Sequence, residues 1–267
     1  MCNNLSHTSQ HPPLLPAAEV LSASGYCRGC GSIHGLPMAQ AYLHCRELIH
    51  HFSTNRTIDL QAEPNADPRL TTEYLFGPAR GKMFGVLECR CPDGSTAIVR
   101  AFSGQYNGLW QVPGWAPPLF DVEQFSATND STERRIKELG QRLDQEAAQT
   151  DHWRKLRRER RDLSRKLMLE IHAIYRLTNF RGRTETLFAA YSEEGGIPTG
   201  TGDCCAPKLL NHAAVNNLVP VGLAEFYWGL DNKSGSRRHG RFYPSCREKC
   251  QPILGYLLCG LGENHAG

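Results

Sequence analysis

Hydrophobic and polar positions alternate along this chain with two different periods. From Met38 to His51 the apolar residues Ala41, Leu43, Leu48 and then Phe52 recur at three- and four-residue steps, which predicts an amphipathic helix. A polar loop over 54–72, with Pro64 and Pro68, follows. Two apolar runs, Met83 to Cys89 and Ala97 to Phe102, flank Pro92-Asp93-Gly94. Glycine supplies the positive φ that a tight turn needs, so the pattern predicts a β-hairpin. "GLWQVPGWAPPLF", Gly108 to Phe120, reads as a rigid aromatic loop packed on the core, with a stacking surface for nucleobases as the alternative.

From 131 to 176 helical spacing returns in Ile136, Leu139, Leu143, Ala147, Leu156, Leu163, Leu167, Ile171 and Ile174, with Ser131 or Thr132 as cap. One unbroken helix of that length would span roughly 70 Å at ~1.5 Å per residue. A hinge at Ala147 to Asp151 would instead fold it into an antiparallel hairpin. Further on, Asp203 is placed to cap a helix over Cys204 to Asn216, and Pro220 to Tyr227 reads as a buried strand. Pro244 precedes a helix over Ser245 to Cys259. Residues 1–24 carry no periodic pattern and read as disordered. The organisation is α/β: residues 25–130 and 177–267 form the two parts of one α/β domain, and 131–176 is a helical insertion.

Composition narrows this picture. No run approaches the ~18 apolar residues of a membrane span, and Met1 to Pro16 lacks the basic-then-apolar order of a signal peptide. The net charge is only +3. These features predict a soluble cytoplasmic protein with no membrane partner. Eleven cysteines are then unexpected. Cytosolic thiols stay reduced and the number is odd, so a disulfide framework is disfavoured. The cysteines cluster as Cys27/Cys30, Cys89/Cys91, Cys204/Cys205 and Cys246/Cys250, which points to zinc. The principal predicted site is Cys204, Cys205, Cys246 and Cys250, with His239 as an alternative fourth ligand. Its C-x-x-x-C pair would lie one helical turn apart, at a helix N-terminus that favours thiolate. The knuckle-like "GYCRGCGSIHGLP", with Cys27, Cys30 and His34, offers a second metal site on Cys27 and Cys30. Cys45 and Cys259 sit in apolar helical patterns and read as small buried hydrophobes.

The order of hairpin, ligand-bearing helix, strand, and proline before two cysteines resembles the zinc-dependent nucleotide deaminase fold, with its α-β-α layers. That fold carries H-x-E or C-x-E followed by P-C-x-x-C. The matching positions are Cys204 or Cys205, Cys246 and Cys250. Two residues beyond the first ligand, Ala206 or Pro207 stands where the catalytic glutamate would be. Glu225, in the predicted buried strand, is the best substitute, with Lys208 or an arginine as the partner such a carboxylate needs. A second resemblance, carried by "FGPARGKMFGVLEC", "FSGQYNG", "GDCCAPKLLNHA", "GLAEFYWG" and "RRHGRFYPSCREKC", is to the N-terminal extension of bacterial large-subunit rRNA-type pseudouridine synthases. It implies an association with RNA modification and a separate modifying enzyme as partner. The H-R-L-D signature of the synthase domain is absent; Gln141-Arg142-Leu143-Asp144 lacks the histidine and lies in a helical pattern.

"RKLRRERRDLSRK" holds eight basic residues, Arg154, Lys155, Arg157, Arg158, Arg160, Arg161, Arg165 and Lys166, against Glu159 and Asp162. Such a stripe suits the phosphates of rRNA or tRNA; the alternative is a solvated coiled-coil face. Three functions follow: a zinc-containing RNA- or nucleotide-binding module, an active deaminase, or a protein-interaction module working through the helical insertion.

Overall fold

A computed structural model describes residues 21–61 and 67–263. The reading of residues 1–20 as disordered lies outside them, as does the 62–66 part of the predicted loop. Residues 21–24 are not disordered: they belong to β1 (Leu21–Cys27), which pairs antiparallel with β2 (Ser32–Pro37). Helix α1 (Ala41–Asn55) begins and ends later than the predicted span from Met38 to His51, and two short 3-10 turns, Pro68–Leu70 and Glu73–Phe76, occupy the end of the expected loop and the residues after it.

The centre is a three-stranded antiparallel sheet in the order β4 (Thr96–Phe102), β3 (Lys82–Arg90), β7 (Val219–Trp228). The hairpin closes as its sequence predicts: Gly94 at φ +83° donates to the Cys91 carbonyl at 2.9 Å, and Asp93 Oδ1 accepts from the Ser95 amide at 2.9 Å. Side chains alternate across the sheet. Phe84, Val86, Phe102, Ala224 and Phe226 pack with Cys45, Leu48 and Phe52 of α1 on one face. Leu87, Cys89, Ala101 and Leu223 face α5 (Cys205–Val215) and α6 (Gln251–Leu258) on the other. Gly85 permits that approach, since a Cβ there would lie 2.8 Å from Cys205 Cβ. The aromatic loop is core, not a stacking surface: Trp115 is buried and its indole N–H donates to the Ile58 carbonyl at 3.0 Å.

The insertion is two helices, not one. Helix α2 (Val122–Gln145) starts nine residues before the predicted Ser131, capped by Asp121, whose Oδ1 accepts from the Gln124 amide at 2.8 Å. Helix α3 (Asp151–Ile174) is capped by Thr150 and packs on α2, with Arg135 bound to Glu159 at 2.9 Å. The break falls at the predicted hinge. Gln141 to Asp144 lie inside α2. A small strand pair, β5 (Arg176–Thr178) and β6 (Thr184–Thr186), and the single helical turn α4 (Leu187–Ala190) then lead back to the domain. No helix among the described residues is long and apolar enough to cross a membrane.

Candidate metal centres

The first centre is built where α6 crosses β1. Gly25 and Gly255 let the two backbones touch: a Cβ on Gly25 would lie 2.4 Å from the Gln251 oxygen, and one on Gly255 only 2.2 Å from the Tyr26 carbonyl carbon. The Ser245 amide also donates to the Ser22 carbonyl at 2.8 Å. This contact carries the C-terminal end of α6 to the β1–β2 turn. There Gly31, at φ +70°, donates to the Cys27 carbonyl at 2.9 Å and turns Cys30 back toward Cys27.

Cys27, Cys30, His34 and Cys259 converge, each offering one donor atom, and those atoms all lie within 4.8 Å of one another. Three sulfurs and one imidazole nitrogen can hold a metal ion. Cys27 and Cys259 are buried; Cys30 and His34 are half-buried. Cys30 Sγ lies 3.0 Å from His34 Nε2, and this contact draws the thiol down to about 6. Burial, reinforced by Cys27 and Cys30, pushes Cys259 up to about 12. One thiol is therefore ready to ionise, while another needs a cation to do so.

The predicted Cys27/Cys30 pair thus stands together, and Cys259, buried as predicted, also brings its sulfur into the same donor group. Periodicity could not reveal this ligand. It follows the apolar "PILGYLL" and lies at the far end of the chain from its partners. Cys45 does behave as a buried core thiol, donating to the Ala224 carbonyl at 3.4 Å.

Of the four cysteines of the principal predicted site, Cys205 stands apart from the other three. Cys205 is fully buried and turns toward the sheet, its thiol donating to the Met83 carbonyl at 3.3 Å. Cys204, not Asp203, is the N-cap of α5; the Asp203 carboxylate instead accepts from the Tyr175 hydroxyl at 2.6 Å. Cys246 and Cys250 do not share a helical face. Helix α6 begins at Gln251, Cys250 is its N-cap, and Cys246 precedes the turn that leads into it. The Cys250 thiol nevertheless neighbours those of both Cys204 and Cys246. His239 takes no part: its Nδ1 accepts from the Gly229 amide at 3.1 Å and its ring packs on Trp228 at 4.2 Å. His212 lies half-buried in the last turn of α5, bonded to Asn216.

Glu225 is buried on the α5 face of β7, and its Oε1 accepts from the Ala206 amide at 2.8 Å. Burial raises its carboxyl to about 7. Lys208 is not its partner. That ammonium, also buried, donates to the carbonyls of Phe102 and Gly104 at 3.0 and 2.8 Å.

On α3 all eight predicted basic residues are exposed. Trp153, Arg154, Arg157, Arg158, Arg160, Arg161 and Ser164 line a groove of about 620 Å³. The Arg157 guanidinium lies over the Trp153 ring at 5.1 Å. Arg154, Arg161 and Lys166 pair with Asp151, Asp162 and Glu170. Glu159 is taken by Arg135 of α2, so among the described residues Lys155, Arg157, Arg158, Arg160 and Arg165 have no carboxylate partner.

Comparison with known proteins returns nothing: no family model, no curated protein and no solved structure matches this chain.

Proposed function

We propose that this chain is a zinc-containing, RNA-binding module of RNA modification, acting in the cytoplasm beside a separate modifying enzyme. The observation that carries the reading is the arginine-lined groove of α3. Three of its five arginines, Arg157, Arg158 and Arg160, lack carboxylate partners among the described residues, and an aromatic ring lies at its edge. Guanidinium forks bind phosphate bidentately and release counterions, and an aromatic face stacks on an unpaired base. The ligand is rRNA or tRNA, held mainly through its backbone.

Zinc belongs at Cys27, Cys30, His34 and Cys259. A Cys₃His set with four protein donors is the closed, structural kind, which leaves no position for substrate water. Its role is to fasten the β1–β2 turn to the end of α6. The ten cysteines among the described residues are free thiols, and a reducing cytosol keeps them available to metal. Helices on both faces of a three-stranded sheet, with thiols at the start of α5 and before α6, support a deaminase-like ancestry for the layers. The catalytic glutamate of that fold is not reproduced on α5.

Fluorescence anisotropy with a labelled single-stranded RNA tests the reading. Reversing Arg157, Arg158, Arg160 and Arg161 to Glu should weaken binding at least a hundredfold, about equally for unrelated sequences, because phosphate contacts carry no sequence information. A wild type that binds no RNA would make the hairpin a protein-binding face instead.

A further inference from the structure

We propose that the aromatic cavity between the end of α1, the Glu73–Phe76 turn and the end of β7 is a binding pocket for a guanine base, separate from the arginine groove of α3. Its volume is about 330 Å³, within the range of small-ligand sites. Three rings wall it: Phe52 from α1, Phe76 from the 3-10 turn and Trp228 from β7. The Trp228 ring stands edge-on to Phe52 at 5.7 Å and to Phe76 at 6.3 Å. The Leu230 amide fastens the turn to the strand by donating to the Leu75 carbonyl at 2.8 Å. Phe52 and Trp228 belong to the core on the α1 face of the sheet, whereas Leu167 and Ile171 of α3 pack in the core on the other face. Pocket and groove are therefore different surfaces.

The rim carries groups that can read a base. Glu73 and Phe76 are three residues apart on a 3-10 turn, a spacing that sets both side chains on one face. Phe76 is 48% exposed, and an unpaired base stacks on such a ring. Arg56 ends α1 in the left-handed region, at φ +53°, where glycine or asparagine sits more easily. Backbone contacts hold it there: its amide donates to the Phe52 carbonyl at 3.1 Å, and its carbonyl accepts from the Thr72 amide at 2.9 Å. Arg56 and Glu73 pair at 3.2 Å with both side chains largely exposed, so the pair is weak and a ligand can exchange for it. In the wall, the Trp228 indole nitrogen is buried and has no acceptor among the described residues, a state that costs free energy until an acceptor arrives. Guanine offers a carbonyl oxygen to such a donor, and beside it a ring N–H and an amino group that one carboxylate can accept from together. Adenine and cytosine lack the ring N–H, and uracil lacks the amino group. Glu73 and Trp228 thus select guanine, Phe76 stacks on it, and Arg56 is left to meet a phosphate.

The inference deepens the RNA-binding reading by adding a base contact, and calorimetry tests the two apart. Wild type titrated with the four nucleoside monophosphates should bind guanosine monophosphate about tenfold or more tighter than the others. A single-stranded uridine tract with one guanine, set against the same tract without it, tells a base within a strand from a free nucleotide. Preference for the guanine strand with no free nucleotide bound supports the pocket and makes RNA its source. Glu73→Gln should abolish the preference, and Phe76→Ala should weaken guanine binding by about tenfold or more; both side chains are exposed, so both variants should fold. The variant with Arg157, Arg158, Arg160 and Arg161 changed to Glu should keep the affinity for guanosine monophosphate, so failure of the α3 groove leaves this result standing. Equal binding of the four nucleotides and of the two strands, or guanine binding that Glu73→Gln and Phe76→Ala leave unchanged, would overturn the pocket and leave its aromatic face to a protein partner.

Discussion

Glu225 Oε1 accepts a hydrogen bond from the Ala206 amide at 2.8 Å. A carboxylate from β7 therefore meets the backbone two residues after Cys204. The carboxylate reaches the spot from the strand while the helix offers only an amide. Its first consequence is for stability. Glu225→Gln keeps an acceptor for Ala206 and should cost little. Glu225→Leu leaves a buried N–H unpaired and should destabilise by about 1–3 kcal/mol in urea titrations. Equal effects of the two would mean that the bond is immaterial. The second consequence is for catalysis. General acid–base transfer needs a carboxylate free to carry a proton between water and the leaving amine, and this one is tethered. No ammonia above background is expected from cytidine or adenosine; release abolished by Glu225→Gln would show that Glu225 does transfer the proton.

The buried ammonium of Lys208 predicts a pH dependence. Burial lowers it from 10.5 to about 8. Between those values the unfolded chain binds more protons than the folded one, so stability should rise as pH climbs from about 8 to about 10.5. At ~1.4 kcal/mol per unit the gain is on the order of 3 kcal/mol. Thiols and phenols titrate in the same window, so the measurement is the difference between wild type and Lys208→Met in denaturant midpoints across that range. A constant difference would contradict the shift.

The contact between Gly25 and Gly255 predicts how the first metal centre fails. Gly255→Ala places a methyl 2.2 Å from the Tyr26 carbonyl carbon, so α6 must withdraw from β1. The change should cost about 1–3 kcal/mol or more as overpacking and should loosen zinc, although the ligands are untouched. Competition with a chromogenic chelator reads this; unchanged affinity would mean that the crossing does not hold the ligands. Stripping zinc from wild type should likewise lower the thermal midpoint, because binding energy at a structural site is folding energy.

The parts of this molecule legible from sequence were those with local rules. The β3–β4 hairpin followed from alternation and Asp93-Gly94, and the break between α2 and α3 fell where the apolar spacing lapsed. The start of α2 carries no such rule: its first turns, rich in Ser, Thr, Asn and Asp, read as loop, and Val122 and Phe125, packed on the core, and the Asp121 cap hold them helical. The start of α6 at Gln251, later than the predicted Ser245, is marked by Pro252, since proline suits the first turn and not the middle of a helix. Which of Cys204 and Cys205 faces its neighbouring thiols depends on where the sheet lies, and Cys259 joins Cys30 only through the Gly25–Gly255 crossing. Neither relation leaves a local trace.

The salt dependence of RNA binding tests the central claim most directly. The logarithm of the association constant, plotted against the logarithm of salt concentration, should fall with a slope of about −0.7 per phosphate neutralised on a single strand. With the five cations that lack carboxylate partners engaged, wild type should show a steep line. The variant with Arg157, Arg158, Arg160 and Arg161 changed to Glu should show a line close to flat. A wild-type line as flat as the variant's, or no binding at low salt, would contradict the account.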